Sequence, residues 1–171
     1  AEAARPILEK LRESTLETAH LAILTADGMM IFLESLTTPQ AVGPSLQLGV
    51  PYPCYCTAHG KAILAFLPEN ERDQFLRGRL AQYTNATITR KHELLRHLAG
   101  VRRLGYAVNR GEYRADVCGV AAPVFDKSGA VIAALGVSFP TFRMTPQLSK
   151  VLGRAVMAGA KKLSSSIDPT T

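Results

Sequence analysis

The chain alternates between two spacings of apolar residues, and the switches between them mark its elements. Near the start, Ile7, Leu8 and Leu11 fall on one side of a helical wheel and Glu9, Lys10, Arg12 and Glu13 on the other, which predicts a helix over residues 3–17. Two β-prone runs follow, HLAILT (20–25) and MMIFLE (29–34). They flank Ala26-Asp27-Gly28, whose Asp-Gly pair predicts a hairpin. The stretch 39–53, rich in proline and glycine around Ser45-Leu46-Gln47-Leu48, reads as a short strand inside a constrained loop. Helices are predicted over 57–67, stopped by Pro68, and over 69–77. After the polar segment 84–89, Leu94, Leu95, Leu98 and Val101 give residues 91–104 a buried helical side that Gly105 ends.

The remaining pattern predicts strands over 106–110, 118–125 and 130–139. The last two are joined through Asp126-Lys127-Ser128-Gly129. A closing helix over 146–165 carries Leu148, Leu152, Ala155, Val156 and Leu163 at core spacing. Hairpins at both ends with helices between them predict an α+β fold, an antiparallel sheet of about six strands with helices packed against it. The expected divisions are a helix over 1–18, a domain over 19–166, and a frayed tail over 167–171 following the serine run at 164–166. Because the chain opens inside a helical pattern, it reads as a piece of something longer, its first helix once connecting to another part.

Composition narrows the class. With 171 residues, 47% hydrophobic and 20% charged, the chain is long enough to bury roughly 70% of its unfolded surface, which excludes disorder. Its apolar runs fall far short of the roughly 20 residues of a membrane helix, and no secretory leader opens it, so the expected address is the cytoplasm. Cys54, Cys56 and Cys118 are an odd set, expected as free thiols. The net charge of +6 raises nucleic acid as a partner. Yet Arg77, Arg79, Arg90, Lys91, Arg102 and Arg103 sit mostly at predicted helix ends, where they offset helix dipoles, and no pair of short helices is shaped for a major groove.

The most unusual segment is Pro53-Cys54-Tyr55-Cys56-Thr57-Ala58-His59-Gly60-Lys61-Ala62. Thr57 can cap a helix there, leaving the N–H groups of Ala58, His59 and Gly60 to meet an anion such as a carboxylate; the plainer reading is an ordinary capped helix. Cys54, Cys56 and His59, with Cys118 from a strand, form a candidate soft metal set, but C-x-C lacks the usual zinc spacing and no second motif follows, so no metal is expected and buried thiols are the better reading. His92 and His97 imitate a zinc-protease helix with the second histidine one place late; about 140° apart, they cannot share an ion and are expected at exposed or helix-end positions. Gly60-Lys61 fails as a phosphate loop, because Tyr55 and Ala62 occupy the required glycine and hydroxyl positions. An enzyme remains as the alternative, with Cys54 or Cys56 as nucleophile, His59 as base and Glu112 or Asp116 as orienter.

Three segments taken together resemble the effector-binding domain of the IclR family of bacterial transcription regulators. The first is the run 53–68, similar to the family's H-x-T-A-x-G-K-A-x-L-A stretch. The second is Val101-Arg102-Arg103-Leu104-Gly105-Tyr106-Ala107-Val108 with Gly111-Glu112-Tyr113. The third is Gly119-Val120-Ala121-Ala122-Pro123-Val124-Phe125-Asp126 with Gly129 and Ala133-Ala134-Leu135-Gly136-Val137-Ser138. The resemblance implies a GAF-like, non-enzymatic, cofactor-free domain that binds a small carboxylate and signals to a winged helix-turn-helix absent from this chain, which alone would touch DNA. It also implies a homo-dimer or tetramer with no membrane partner. Carried over by position, the effector site would comprise Ala58, His59, Asn109, Val117, Gly119, Gly136 and Ser138. Leu46, Val117 and Ile63 would form an apolar wall, and the Ala58 and His59 N–H groups with Ser138 would hold the carboxylate. Asn109 and Gly136 stand where some relatives have an acid and a serine, which implies a larger, less hydroxylated ligand, an aromatic carboxylate.

Overall fold

Strands alternate their side chains, so one sheet sorts its residues onto two faces. In the computed structural model, which describes residues 2–167, that sorting is complete enough to make two separate cores. Strands β1 (Thr18–Leu24), β2 (Met29–Leu36), β3 (Tyr52–Pro53), β4 (Ala107–Arg110), β5 (Val117–Phe125) and β6 (Val131–Pro140) form one sheet in the order β3-β2-β1-β6-β5-β4. Every neighbouring pair is antiparallel. Ala19 and Leu21 of β1, Val120 and Val124 of β5, and Leu135 and Val137 of β6 turn to one face, covered by α1 (Ala4–Thr15) and α5 (Pro146–Ser166). The residues between them, including Ala22, Ala121 and Ala134, turn to the other face, beneath α2 (Ala58–Leu64) and α4 (Lys91–Leu104). Each fully buried leucine in these layers, such as Leu8, Leu94 or Leu135, contributes about 1.5–3 kcal/mol.

The second face is built of small residues, and that brings α2 close. At Gly60 a Cβ would lie 2.1 Å from the Cys54 carbonyl oxygen, so only glycine admits the 54–57 loop against the helix. Both predicted hairpins form: Gly28 at φ 83° lets Thr25 N–H reach Met29 O at 2.7 Å, and Gly129 at φ 85° lets Asp126 N–H reach Ala130 O at 2.9 Å. Gly105 ends α4 in the left-handed region, as its position predicts.

Several boundaries differ from expectation. Residues 45–48 make no strand; Leu48 has one isolated bridge to Phe32, and the sixth strand is Tyr52–Pro53 on Met29 and Met30. Pro44 and Pro51 lack the N–H a longer ladder needs. Helix α2 stops at Leu64, short of residue 67, because Pro68 disfavours helical backbone before it. Helix α3 (Glu69–Phe75) ends two residues early and buries none of its side chains. The serines of 164–166 belong to α5; of the tail expected over 167–171, residues 168–171 lie outside the described residues.

Candidate functional site

Thr57 stands in extended backbone before α2, its hydroxyl accepting from Gly60 N–H at 3.3 Å and its carbonyl from Lys61 N–H at 3.0 Å. The first-turn N–H groups of Ala58 and His59 have no partner within the helix. Facing them across the sheet are Asn109, Gly119 and Ser138, neighbours on β4, β5 and β6. A Cβ at Gly119 would sit 3.2 Å from Ala58 Cβ and 3.7 Å from Ser138 Oγ, so its bare backbone opens the space between helix and sheet. Phe32 and Tyr52 close one side of this cavity, and Leu46, Tyr113, Arg114 and Val117 its rim.

Leu46, Ala58, His59, Asn109, Val117, Gly119 and Ser138 are therefore brought together. Gly136 and Ile63 are not among the lining residues. Gly136 faces Ala121 on β5, where a Cβ would come within 2.6 Å of Ala121 Cβ and 2.3 Å of Val120 O; its bareness makes room for the sheet, not for a ligand. Ile63 belongs to the core under α2. The cavity is tight, with about 30 Å³ of free volume, enough for a water or two.

Arg114 supplies the fixed charge of this lining, which contains no carboxylate. Its guanidinium lies 3.4 Å from Ser45 O and 3.5 Å from Asp116, at the exposed rim. Asn109 gives its side-chain oxygen to Glu112 N–H at 2.8 Å, which leaves the amide NH2 as the group it can offer a ligand. Burial pushes His59 down to about 4 and His20 well below the ordinary imidazole range, so both rings are neutral at pH 7. Their centroids are 5.7 Å apart with Phe32 against both, and His59 Nε2 and both His20 ring nitrogens are enclosed without a hydrogen-bond partner.

One half-turn along α2 is a second polar group of opposite character. Lys61 is fully buried, its Nζ donating to both Glu112 carboxylate oxygens at 2.8 Å and to Val108 O at 2.7 Å, with His97 Nε2 at 3.0 Å. Glu112 also accepts from Arg110 N–H at 3.2 Å, and its carbonyl from the Thr87 hydroxyl at 2.6 Å. Burial lowers the Lys61 pKa and Glu112 pulls it back up; burial and the nearby Lys61 push His97 down to about 4, leaving its Nε2 an acceptor. His97, expected at an exposed or helix-end position, is instead half-buried within α4. Sequence reasoning missed this network and His20. The available signal was polar residues inside apolar runs, Lys61 in AHGKAILAF and His20 in HLAIL.

Cys118 does not join Cys54 and Cys56: it packs in the core on the opposite face of the sheet, its Sγ 3.7 Å from Thr141 Oγ1. Among the described residues, no group of three or more histidine, cysteine or acidic side chains is placed to hold a metal ion. The catalytic alternative also lacks its geometry. Burial pushes the Cys54 and Cys56 thiols up to about 12, Glu112 is held by Lys61, and Asp116 is exposed beside Arg114.

The comparisons with known proteins agree with one another. The family model described as "Bacterial transcriptional regulator IclR C-terminal" matches residues 1–165. The chain is 34% identical over 169 residues to the HTH-type transcriptional regulator BhcR of Paracoccus denitrificans, covering 98% of this chain and 60% of the relative. It is 32% identical over 161 residues to the HTH-type transcriptional regulator KdgR of Escherichia coli, covering 94% and 61%. The crystal structure of the C-terminal domain of that KdgR superposes with a TM-score of 0.85 at 31% identity, covering 96% of this chain and 95% of that one. The Thermotoga maritima IclR structure superposes with a TM-score of 0.90 at 28% identity, covering 96% and 66%. The chain thus spans about 60% of the length of these two curated relatives.

Proposed function

Since the chain belongs to the IclR family of bacterial transcriptional regulators, matching their C-terminal domain, we propose that it senses an organic acid in the cavity between α2 and the sheet and signals to a separate DNA-binding domain. The family and its named relatives are regulators and not enzymes. The observation that carries the sensing role is the cavity's make-up: aromatic and aliphatic walls from Phe32, Tyr52, Leu46 and Val117, with Arg114 at the rim and no carboxylate in the lining. That combination favours an anion with an apolar, ring-sized body. Arg114, the Ala58 and His59 N–H groups and the Asn109 amide are the donors for its carboxylate.

The free volume is too small for such an acid, so binding displaces the rim. Leu46, Tyr113 and Arg114 are the movable parts, since none of the three is fully buried. Displacement there reaches α1 through the loop before β3. Arg114 contacts Ser45 O; further back, the Thr38 hydroxyl donates to Leu16 O at 2.5 Å and the Gln40 amide to the same oxygen at 2.6 Å. Leu16 is the left-handed cap that ends α1. Arg143 clamps the adjoining Glu17 with two bonds of 2.8 and 2.7 Å, giving the moving loop a fixed base to work against. The ligand biases the signal by its differential affinity for two arrangements, on a scale of about 1–3 kcal/mol. The working unit is a cytoplasmic homo-dimer or tetramer whose DNA contacts lie outside this domain.

Native mass spectrometry of the chain, alone and with a panel of aliphatic and aromatic carboxylates, tests this reading. The expected result is an oligomer that takes up one acid per chain and prefers benzoate to glyoxylate or pyruvate. Uptake of the small keto acids alone overturns the apolar-body assignment, and uptake of no acid overturns the sensing role.

A further inference from the structure

His59 carries a polar atom that the fold leaves unused. The residue is 2% exposed, lines the cavity, and has no hydrogen-bond partner at Nε2, although buried polar groups are ordinarily paired. The neglect is local, because Lys61, two residues on and more deeply buried, has contacts to Glu112, Val108 and His97. The His20 main chain bonds the His59 ring and works against the lowering of its pKa by burial, but no protein group among the described residues reaches Nε2. Phe32 packs edge-on to the His59 ring, and His20 beside it is itself unpartnered at both nitrogens. What remains next to His59 is the cavity, whose wall also holds the Ser138 hydroxyl and the Asn109 amide.

The chemistry of this wall restricts what satisfies it. A neutral imidazole nitrogen donates or accepts according to its tautomer. A hydroxyl matches either tautomer, an ether or ketone oxygen only the donating one, and a hydrogen or methyl group neither. A second carboxylate is a poor match, because Arg114 at the rim is the cation of the lining and the Lys61 ammonium is taken up by Glu112. We propose that His59 is the specificity-determining residue of the cavity, its Nε2 selecting acids that carry a hydroxyl over their deoxy and O-methyl counterparts. This rests on the acid-sensing reading above and departs from the expectation of a poorly hydroxylated ligand, which leaned on Asn109, a cavity residue, and on Gly136, which lies outside the cavity lining.

Isothermal titration of the whole chain with benzoate, the three hydroxybenzoates and their methyl ethers tests it. At least one hydroxybenzoate is expected to bind about ten-fold or more tightly than both benzoate and its own methyl ether, because a ligand lacking the hydroxyl leaves a buried group unpaired. His59→Leu is expected to erase that margin, bringing the hydroxybenzoate, its methyl ether and benzoate to about equal affinity within that variant, and His59→Gln, which keeps an amide at similar reach, to restore part of it. Equal binding of benzoate and every hydroxybenzoate by the unsubstituted chain overturns the selective role and leaves acid sensing standing. A margin that survives in His59→Leu also overturns it, and binding of none of these acids removes both readings. Should His59→Leu melt early, His59→Phe, which keeps a ring against Phe32 without polar atoms, takes its place: loss of the margin there supports the role and its survival overturns it.

Discussion

Lys61 and His59 stand two residues apart on α2, both buried, and their surroundings are opposites. Around Lys61 the ammonium meets a carboxylate, a carbonyl and a neutral imidazole, and the carboxylate in turn takes a main-chain N–H. Around His59 and His20 three ring nitrogens have no partner, and the nearest neighbours are aromatic edges. A charge taken out of water is tolerable only when its partners are complete, so the Lys61 group serves as a rivet: it holds α2, α4 and the β4 end together and fixes Asn109 through the Glu112 N–H. An incomplete polar group costs stability that a ligand can return, so the histidine side is where an occupant gains most. The difference separates the part of the site that keeps its shape from the part that responds.

The sharpest way to break this contrast is Glu112→Ala, which strands the Lys61 ammonium in the interior. A loss of about 3–5 kcal/mol is expected in urea denaturation, with the double change Lys61→Met, Glu112→Leu recovering most of it. A loss below about 1 kcal/mol would show that Lys61 escapes to water and rivets nothing.

Next in size is the acid response of the buried histidines on both sides of the contrast. His59 and His97 are held near 4 in the folded chain, whereas unfolded imidazoles titrate near 6.5. The unfolded state therefore binds more protons between these values, and stability must fall as pH drops from about 6.5 to 4, with His59 alone accounting for about 3 kcal/mol. Chemical denaturation at stepped pH reads this slope. His20→Phe, which fills the ring position without polar atoms, is expected to flatten the slope and to raise stability near pH 5. An unchanged slope in that variant would remove His20 from the group of neutral, enclosed rings.

The smallest expected effect is on the thiols. Cys54 and Cys56, pushed up to about 12, are expected to stay unlabelled by a disulfide reagent at neutral pH on the timescale in which free glutathione reacts fully, and to label once urea unfolds the chain. Rapid labelling of either in the folded protein would bring back the nucleophile that the burial argues against.

Much of this was written locally. The alternation in HLAIL and MMIFLE, the Asp-Gly turn and the helical spacing of Leu94, Leu98 and Val101 act over a few residues, and the corresponding elements form within a residue or two of their expected ends. Thr57 likewise caps α2 by a contact three residues away. The short strand misplaced onto 45–48 shows where local reasoning stops: proline content marked the loop, but which of its residues pairs with β2 depends on a partner some twenty residues earlier. That Gly136 lies outside the cavity lining was illegible for the same reason, since the neighbour that requires its bareness, Ala121, lies on another strand.

The sequence by itself determined most of the elements and their order, because steric preference and the burial of an apolar side are set by spacing along the chain, while the family was legible in the resemblance of three motif-bearing segments. The tertiary structure alone decided which polar atoms are satisfied. Lys61 finds Glu112 across 51 positions and His59 Nε2 finds no protein partner, and since a hydrogen bond depends on distances of a few tenths of an ångström between distant segments, only the assembled fold distinguishes the rivet from the open site.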